Sequence, residues 1–519
     1  MQQHNNPRRI AVIGGGLAGL SAAHRLCELA RNSPEETEVT LFEASSRLGG
    51  LVGTERIGDY LVDLGADSFL TNKPAAVNLC RRLEIENQLV ATDSRFRGAL
   101  VLFDGRPVPI PEGFQLLSPT AIWPVLTTPL FSAWGKLRLL MEWFLPSRQR
   151  TPSPSQIRNS QGQPVTESLI DESLSSFVLR RFGREALDRL IQPLVGGIYT
   201  ADPDHLSLAA TMPRFLEMER DHGSLIRASL RQKSASGSRN ATANGSTPAR
   251  PTDTSSGARY GLFAGLKGGM EDLVSALRTK VQANCTIRLQ SELREIRAQA
   301  VSDSEKGTAK SVGYTINLAD GTTEAFSGIV IAASASRTAG LLQNLDSQLS
   351  DELSRIQYAS SAIVVSGHQL ADIRDPLHAF GLVIPHTERR RVLAVSFSSR
   401  KFPDRAPEGR VLLRTFVGGA LQPELLTNSD ERLIEIVREE LAELLGVHGQ
   451  PDFMRVVRYQ EAMPQYHVGH LQQVSRIEAL ERRHAGLALA GIACHGVGVP
   501  DAIASGERAA ERVWSAKTG

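Results

Sequence analysis

Three things that would place this sequence quickly are in short supply. Cysteine is scarce: Cys27, Cys80, Cys285 and Cys494 lie far apart with no C-x-x-C pair, so neither a metal knuckle nor a disulfide framework is expected. Three of them sit in apolar runs and read as small core residues. Charge of one sign is missing too. With 58 Lys and Arg against 56 Asp and Glu, the formal net charge is +2, and no basic excess is left to hold nucleic acid. Nor is there a long hydrophobic run. No stretch approaches the roughly 20 uninterrupted apolar residues of a membrane span, and Arg8-Arg9 leads straight into an apolar segment without a secretory h-region,. The expectation is a protein of the reducing cytoplasm with no metal and no nucleic-acid partner.

What is present is ordinary globular material. The 519 residues are 41% hydrophobic and 22% charged, enough for two or three domains with sizeable cores. The chain is organised around its opening, where the apolar strand Ile10-Ala11-Val12-Ile13 feeds Gly14-Gly15-Gly16-Leu17-Ala18-Gly19 and then a helical run to about Ala30. This is the G-x-G-x-x-G form of a dinucleotide cradle. Gly14 permits the tight turn, Gly16 lets backbone approach a pyrophosphate, and Gly19 lets helix and strand pack closely. Val39 to Phe42 reads as the next strand, and Glu43 at its end stands where a carboxylate takes ribose hydroxyls. Directly after it come Arg47-Leu48-Gly49-Gly50.

That Arg-x-Gly-Gly after the ribose carboxylate resembles the second signature of the FAD-binding amine-oxidase and phytoene-desaturase superfamily. FAD is therefore the expected cofactor. The run Tyr60 to Phe69 reads as a strand entering a small-residue turn, and by the resemblance Gly65, Ala66, Asp67 and Ser68 lie against the flavin ring. Near the end, Leu487 to Gly491 reads as a buried strand. It delivers Gly496-Val497-Gly498-Val499-Pro500-Asp501 to the start of a last helix, which superfamily members place under the ring.

Between these ends the pattern changes several times. Pro74 to Leu89 and Gln163 to Arg181 read as helices, the latter entered through Val165 to Ser168. Arg184 to Leu190 is a further helix running into Gln192 to Pro203, whose Gly196-Gly197 marks close backbone approach. Residues 231–258 are nearly all Ser, Thr, Ala, Asn, Gly, Pro and Arg, and read as a disordered insertion. Met270 to Val281 is helical, Thr286 to Leu289 a strand, and Tyr314 to Leu318 pairs through Asp320-Gly321 with the segment near Phe326. Ile329 to Ala333 is a buried parallel strand. From Ser354 to Gly419 apolar alternation predicts a mostly antiparallel sheet, with Met454 to Gln460 returning to it after a helix over Leu433 to Leu445.

The resulting architecture is α/β, with a discontinuous Rossmann-like FAD-binding domain, a mixed-sheet substrate-binding domain and a helical subdomain. The expected boundaries are 1–92, 259–345 and 471–519 for the FAD domain, 93–215 for the helical part and 346–470 for the substrate domain. Ile110 to Pro146 holds three of the four tryptophans and many other hydrophobes, with Lys136, Arg138, Arg148 and Arg150 near its end. Trp and basic residues beside an apolar helical face suit a membrane interface, while packing on itself or on a second copy of the chain explains the composition equally well.

With both ends, Gln192 to Pro203 and Phe380 to Val383 taken together, the chain resembles the oxygen-dependent protoporphyrinogen oxidase family over nearly its whole length. The resemblance implies FAD, a porphyrinogen substrate, molecular oxygen as acceptor and six electrons removed in three flavin cycles. It places Gly14 to Gly19, Glu43, Arg47, Gly50 and Leu293 on the adenine and pyrophosphate side. Gly65, Ala66, Asp67, Ser68, Ile492, Val497, Gly498 and Val499 fall on the ring side. Arg95 matches the propionate-binding arginine, with Arg97 as its competitor, Phe380 and Val383 match the apolar pair around the macrocycle, and Gly197 matches the glycine that faces a pyrrole NH. No side chain is implied as catalyst, because the flavin N5 takes the hydride. Two positions depart from the family pattern: Tyr459, where a Trp is common, and Cys494-His495, in place of an aromatic and a basic residue. His495 is read as polar surface rather than as a base. Whether two or four propionates are recognised stays open, with coproporphyrinogen III as the alternative to protoporphyrinogen IX. The rival classes are a flavin amine oxidase, which needs an aromatic cage and a lysine near the flavin, a carotenoid desaturase, and a scaffold on a relic cofactor fold.

Overall fold

Residues Arg8–Ile13 form the central strand of a five-stranded sheet because every second side chain finds a core on each face. Ile10 and Val12 pack with Leu20, Leu41 and Ile503, and Ala11 and Ile13 pack with Phe42, Ile329 and Ile331. The strand order is Thr286–Arg288, Thr37–Phe42, Arg8–Ile13, Gly328–Ile331, Leu487–Leu489, all parallel. Parallel strands covered on both faces read as continuous apolar runs, and Gly328–Ile331 is buried throughout. The computed structural model describes residues 7–96, 98–111, 114–115, 118–119, 122–148, 170–231, 263–301 and 311–516. Residues 232–258 of the expected insertion, Gln163 to Ser168 and Arg97 lie outside them.

The sheet draws its strands from both ends and the middle of the chain, as a discontinuous FAD domain requires. The first helix, Leu17–Arg31, and the last, Val499–Ser515, cover one face side by side. Their crossing is set by Gly506: a Cβ there would meet the Ala18 carbonyl oxygen at 2.0 Å. Arg8 ties the far end, donating to the carbonyls of Val513 at 2.8 Å and Ala516 at 3.0 Å. A cation on the last carbonyls of a helix satisfies them and complements the helix dipole.

A second sheet of seven strands forms the other half. Its order is Phe453–Pro464, Tyr358–Gln369, Arg410–Gly418, Ala394–Phe397, Gly381–Val383, Leu100–Phe103, Arg106–Pro109. All neighbours are antiparallel except Gly381–Val383 with Leu100–Phe103, so the sheet is mixed. Residues 100–109, grouped above with the helical part, belong to this sheet. Two helical expectations are corrected. The helix from Pro74 stops at Arg82, because Glu84 turns to a φ of 64°. The helix expected over Gln163 to Arg181 is seen from Leu174 to Arg181, where Ser173 accepts from the Ser176 N–H at 3.1 Å, and Ile170 to Glu172 before it are not helical. Gly196-Gly197, read as a place of close backbone approach, lies inside the helix Gln192–Tyr199.

The helical region contains one helix built the wrong way round for a free surface. Along Ala133–Met141 and the turn Glu142–Phe144, the polar groups face inward. Arg138 donates to the carbonyls of Arg181 at 2.9 Å and of Arg180 at 2.5 Å. Glu142, fully buried, pairs with Arg181 and accepts from Ser224 at 2.6 Å and the Leu225 N–H at 2.9 Å. Trp134, Leu137, Met141 and Phe144 point outward, Trp134 79% and Phe144 80% exposed. Among the described residues, no helix is long and apolar enough to cross a membrane.

Two buried histidines make stability depend on pH. Burial pushes His368, beside the Ser366 hydroxyl at 2.9 Å, and His470, stacked on Tyr466, down to about 4. The unfolded chain takes up each proton near pH 6.5, so stability is fully present above that pH and is lost as pH falls through 6.5 towards 4. The loss is at most about 3 kcal/mol per histidine. The thermal midpoint measured across this window should fall steeply, and His368→Asn should shrink the fall by roughly half.

Candidate active site

The opening turn has the geometry its glycines predict. Gly14 sits at a φ of 103°, and a Cβ on Gly19 would strike the Gly14 carbonyl oxygen at 1.8 Å. At Gly16, which starts the first helix without a side-chain cap, a Cβ would meet nothing nearer than the Gly50 Cα at 3.9 Å. The helix therefore presents unsatisfied N–H groups to an open cradle, which favours an anion such as a pyrophosphate. Leu17 and Ala18 continue the turn into the core. Glu43 stands over it, one carboxylate oxygen accepting from the Gly15 N–H at 2.6 Å and the other from Ser45 at 2.8 Å. Gly49 donates back to the Gly15 carbonyl at 2.8 Å. Arg47 shapes this second loop from behind, its guanidinium donating to the carbonyls of Leu48, Val52 and Gly50. Leu293 follows the segment whose Ser291 N–H donates to the Glu43 carbonyl at 2.8 Å, so it stands on the same side.

The turn Gly65 to Ser68 continues directly from this loop: a Cβ on Gly65 would strike the Leu51 carbonyl oxygen at 1.8 Å and lie 3.3 Å from the Tyr459 hydroxyl. Behind it is a charge cluster that no local pattern announced. Lys401 donates to Asp67 and to Ser68, both at 2.8 Å. Arg414 pairs with Asp67 at 3.2 Å and donates to the Gly65 carbonyl. Burial alone would raise the Asp67 carboxyl, but Lys401 and Arg414 hold it well below the usual carboxylate range,. The ring-side turn is thus fixed on a permanently ionised post, and a lysine stands beside it where the sequence showed none.

The closing loop is held by an equally remote residue. Tyr466 donates to the Ile492 carbonyl at 2.5 Å and accepts from the Gly496 N–H at 2.8 Å, while His470 stacks on its ring at 4.0 Å between centroids. Burial raises the Tyr466 hydroxyl far above its ordinary value, so it stays protonated. Val497, Gly498 and Val499 then enter the last helix, with Asp501 accepting from Gly498 at 3.1 Å and pairing with Lys73 at 2.7 Å. Cys494 stays a thiol, pushed up to about 12 by burial. His495 is engaged by Glu478 at 2.8 Å on an accessible loop.

The expected substrate residues fall into two groups. A Cβ on Gly197 would lie 3.8 Å from the Val383 side chain, and Phe380 immediately precedes the strand Gly381–Val383, its N–H donating to the Gly98 carbonyl at 3.1 Å. Arg95 is not among them. It stands outside on an exposed loop, 76% exposed, with Asp93 at 2.7 Å. The described residues contain no group of three or more His, Cys, Asp and Glu that could hold a metal.

Residues 17–514 match the family model described as flavin containing amine oxidoreductase. The chain belongs to that family. It is a flavin-dependent oxidoreductase with FAD as its cofactor. The curated coproporphyrinogen III oxidase of Bacillus subtilis is 31% identical over 97% of this chain and 97% of its own. Protoporphyrinogen oxidase 2 of Arabidopsis thaliana is 29% identical over 98% of this chain and 94% of its own. A crystal structure from Exiguobacterium sp. 255-15, provisionally named protoporphyrinogen oxidase, is 27% identical, covers 98% of both chains and superposes with a TM-score of 0.77.

Removing one hydroxyl tests the closing loop. Tyr466→Phe leaves the Gly496 N–H and the Ile492 carbonyl without their partner, and the Kd for FAD should rise about tenfold. Flavin fluorescence titration of the apoprotein measures it, and an unchanged Kd would show that Tyr466 does not hold the loop.

Proposed function

We propose that this chain oxidises a porphyrinogen to the corresponding porphyrin in haem biosynthesis. The observation that carries the reading is the length of the likeness: relatives named for that activity match 97% or more of this chain, ring-side and closing segments included. Over three rounds three hydrides leave meso carbons and three protons leave with them, two from pyrrole nitrogens and one, after tautomerisation, from the fourth meso carbon, and each hydride–proton pair reduces one oxygen to hydrogen peroxide. One porphyrinogen and three oxygen molecules thus give one porphyrin and three peroxides. Bound FAD supplies the hydride acceptor. The chain's own residues position and exclude water: Gly197, Val383 and Phe380 offer small and apolar surface to the macrocycle, and Arg95 offers a fork to a propionate at the mouth. No side-chain base is needed, since the substrate relieves its charge by losing a pyrrole proton. The amine-oxidase alternative gains a lysine, Lys401, but that ammonium is committed to Asp67. Among the described residues no second ring pairs with Tyr459 to complete an aromatic cage.

Purified protein should be yellow and should generate porphyrin fluorescence from porphyrinogen in air, with three equivalents of peroxide. A colourless protein that refuses FAD sinks the reading. Because a carboxylate contact exists in ground and transition states alike, Arg95→Ala should raise KM more than it lowers kcat. Steady-state kinetics check this, and equal KM values refute the role.

The outward-facing helix supports a second reading, peripheral seating on an anionic membrane surface. Trp134, Leu137, Met141 and Phe144 offer the apolar face, and Lys136, Arg148 and Arg184 stand nearby as cations,. Flotation with anionic vesicles should recover the protein and should fail for the double variant Trp134→Ser, Phe144→Ser. Failure to float combined with a dimer that the same variant dissociates would instead assign the face to a second copy of the chain.

A further inference from the structure

Two guanidinium groups converge on one phenyl ring at the mouth of the proposed pocket. The Arg95 Cζ lies 5.6 Å from the Phe96 centroid and the Arg400 Cζ 4.7 Å from it, while His378 stacks beside the same ring at 6.5 Å and 16°. Cation–π contact alone accounts for one arginine on a phenyl ring. It does not account for two like charges held together with one carboxylate between them. Asp93 is that carboxylate, and Arg95 takes both of its oxygens, donating to Oδ2 at 2.7 Å and to Oδ1 at 3.1 Å. The Arg400 Nε is buried and has no hydrogen-bond partner. Burial, and then the charge on Arg95, weaken the hold of Arg400 on its proton, so the guanidinium sits in a place that disfavours its charge. An anion would correct both faults at once.

The position of Arg400 says which anion. Arg400 lies on the single turn Ser398–Lys401 that follows the strand Ala394–Phe397. The Phe397 N–H donates to the Phe380 carbonyl at 2.8 Å, and the Lys401 carbonyl accepts from Asp93 at 3.0 Å. The next side chain, Lys401, turns away to the flavin-side residues Asp67 and Ser68. Arg400 therefore stands between the flavin-side turn and Arg95, at the Phe380 end of the apolar wall, with Val383 and Gly197 about 10 Å further along the strand. A tetrapyrrole lying on that wall brings the edge of its rings to Arg400.

Resting on the porphyrinogen reading, we propose that Arg400 is a specificity-determining residue. It binds a propionate beyond the one taken by Arg95, so that the site selects a porphyrinogen carrying four propionates over one in which two are replaced by vinyl groups. Protoporphyrinogen IX offers fewer carboxylates to two adjacent arginines than coproporphyrinogen III does.

The test compares the holoenzyme with Arg400→Gln and Arg400→Lys on both porphyrinogens. It also measures binding of coproporphyrin III and protoporphyrin IX to the oxidised holoenzyme by fluorescence, at low and high salt. Arg400→Gln should lower the ratio of kcat/KM for coproporphyrinogen to that for protoporphyrinogen by roughly tenfold, mainly through KM, and should weaken coproporphyrin III binding by a similar factor. Arg400→Lys should recover part of the loss, and the flavin spectrum and thermal midpoint should stay as they were. An unchanged ratio with unchanged coproporphyrin binding overturns the proposal, as does an equal loss on both substrates. Should neither porphyrinogen be oxidised while coproporphyrin III still binds through Arg400, the activity reading fails and the carboxylate site stands.

Discussion

The contact on which the structure depends is the one between the first and last helices, where Gly506 lets the Ala18 carbonyl come to 2.0 Å from where a Cβ would be. Only at that separation do the helices Leu17–Arg31 and Val499–Ser515 lie side by side on the sheet. Val499, Ala502 and Ile503 complete the same core as Leu17, Ala18 and Leu20. A larger residue at 506 would wedge the helices apart and move the closing loop relative to the glycine turn. The energetic requirement is therefore one of shape: close packing leaves no slack to absorb an added methyl group.

Around that contact, charge does what packing cannot. The ring-side turn is short, rich in small residues and unable to hold itself, and its conformation is imposed by Arg414 and Lys401 acting on Asp67 and the Gly65 carbonyl. Both cations come from the seven-stranded sheet and the turn that follows one of its strands, so that sheet fixes the turn Gly65 to Ser68. The helical region follows the same logic with opposite geometry. There Glu142 and Arg181 are fully buried against each other, and removing either partner would leave an uncompensated charge. Their pairing pulls the polar side of a helix inward and leaves its apolar side in water.

What was legible in the sequence is what local chemistry dictates. The turn at Gly14 to Gly19, the carboxylate at Glu43, the small residues from Gly65 and the entry to the last helix each declare themselves within about ten positions. Strand alternation from Tyr358 to Val417 declared most of the second sheet. The groups that hold these pieces were invisible because they act across hundreds of residues. Tyr466 on the closing loop, Lys401 and Arg414 on Asp67 and Arg8 on the last carbonyls belong to no motif. Misreadings came from signals of equal strength in competition. The helix was expected to enter through Val165 to Ser168, which lie outside the described residues, while Ser173 caps the described helix with its hydroxyl on the Ser176 N–H. Gly196-Gly197 marked close backbone approach, and the helix that runs through it was carried by the apolar residues on either side.

The grip of Arg8 on the carbonyls of Val513, Trp514 and Ala516 bears on how the protein is made. Arg8 is synthesised 505 residues before the Val513 carbonyl it holds, so the strand it anchors waits for the helix that satisfies it. A chain that stops before Val499 has the glycine turn without the helix beside it, and on the proposed reading it has only half of the site for its flavin.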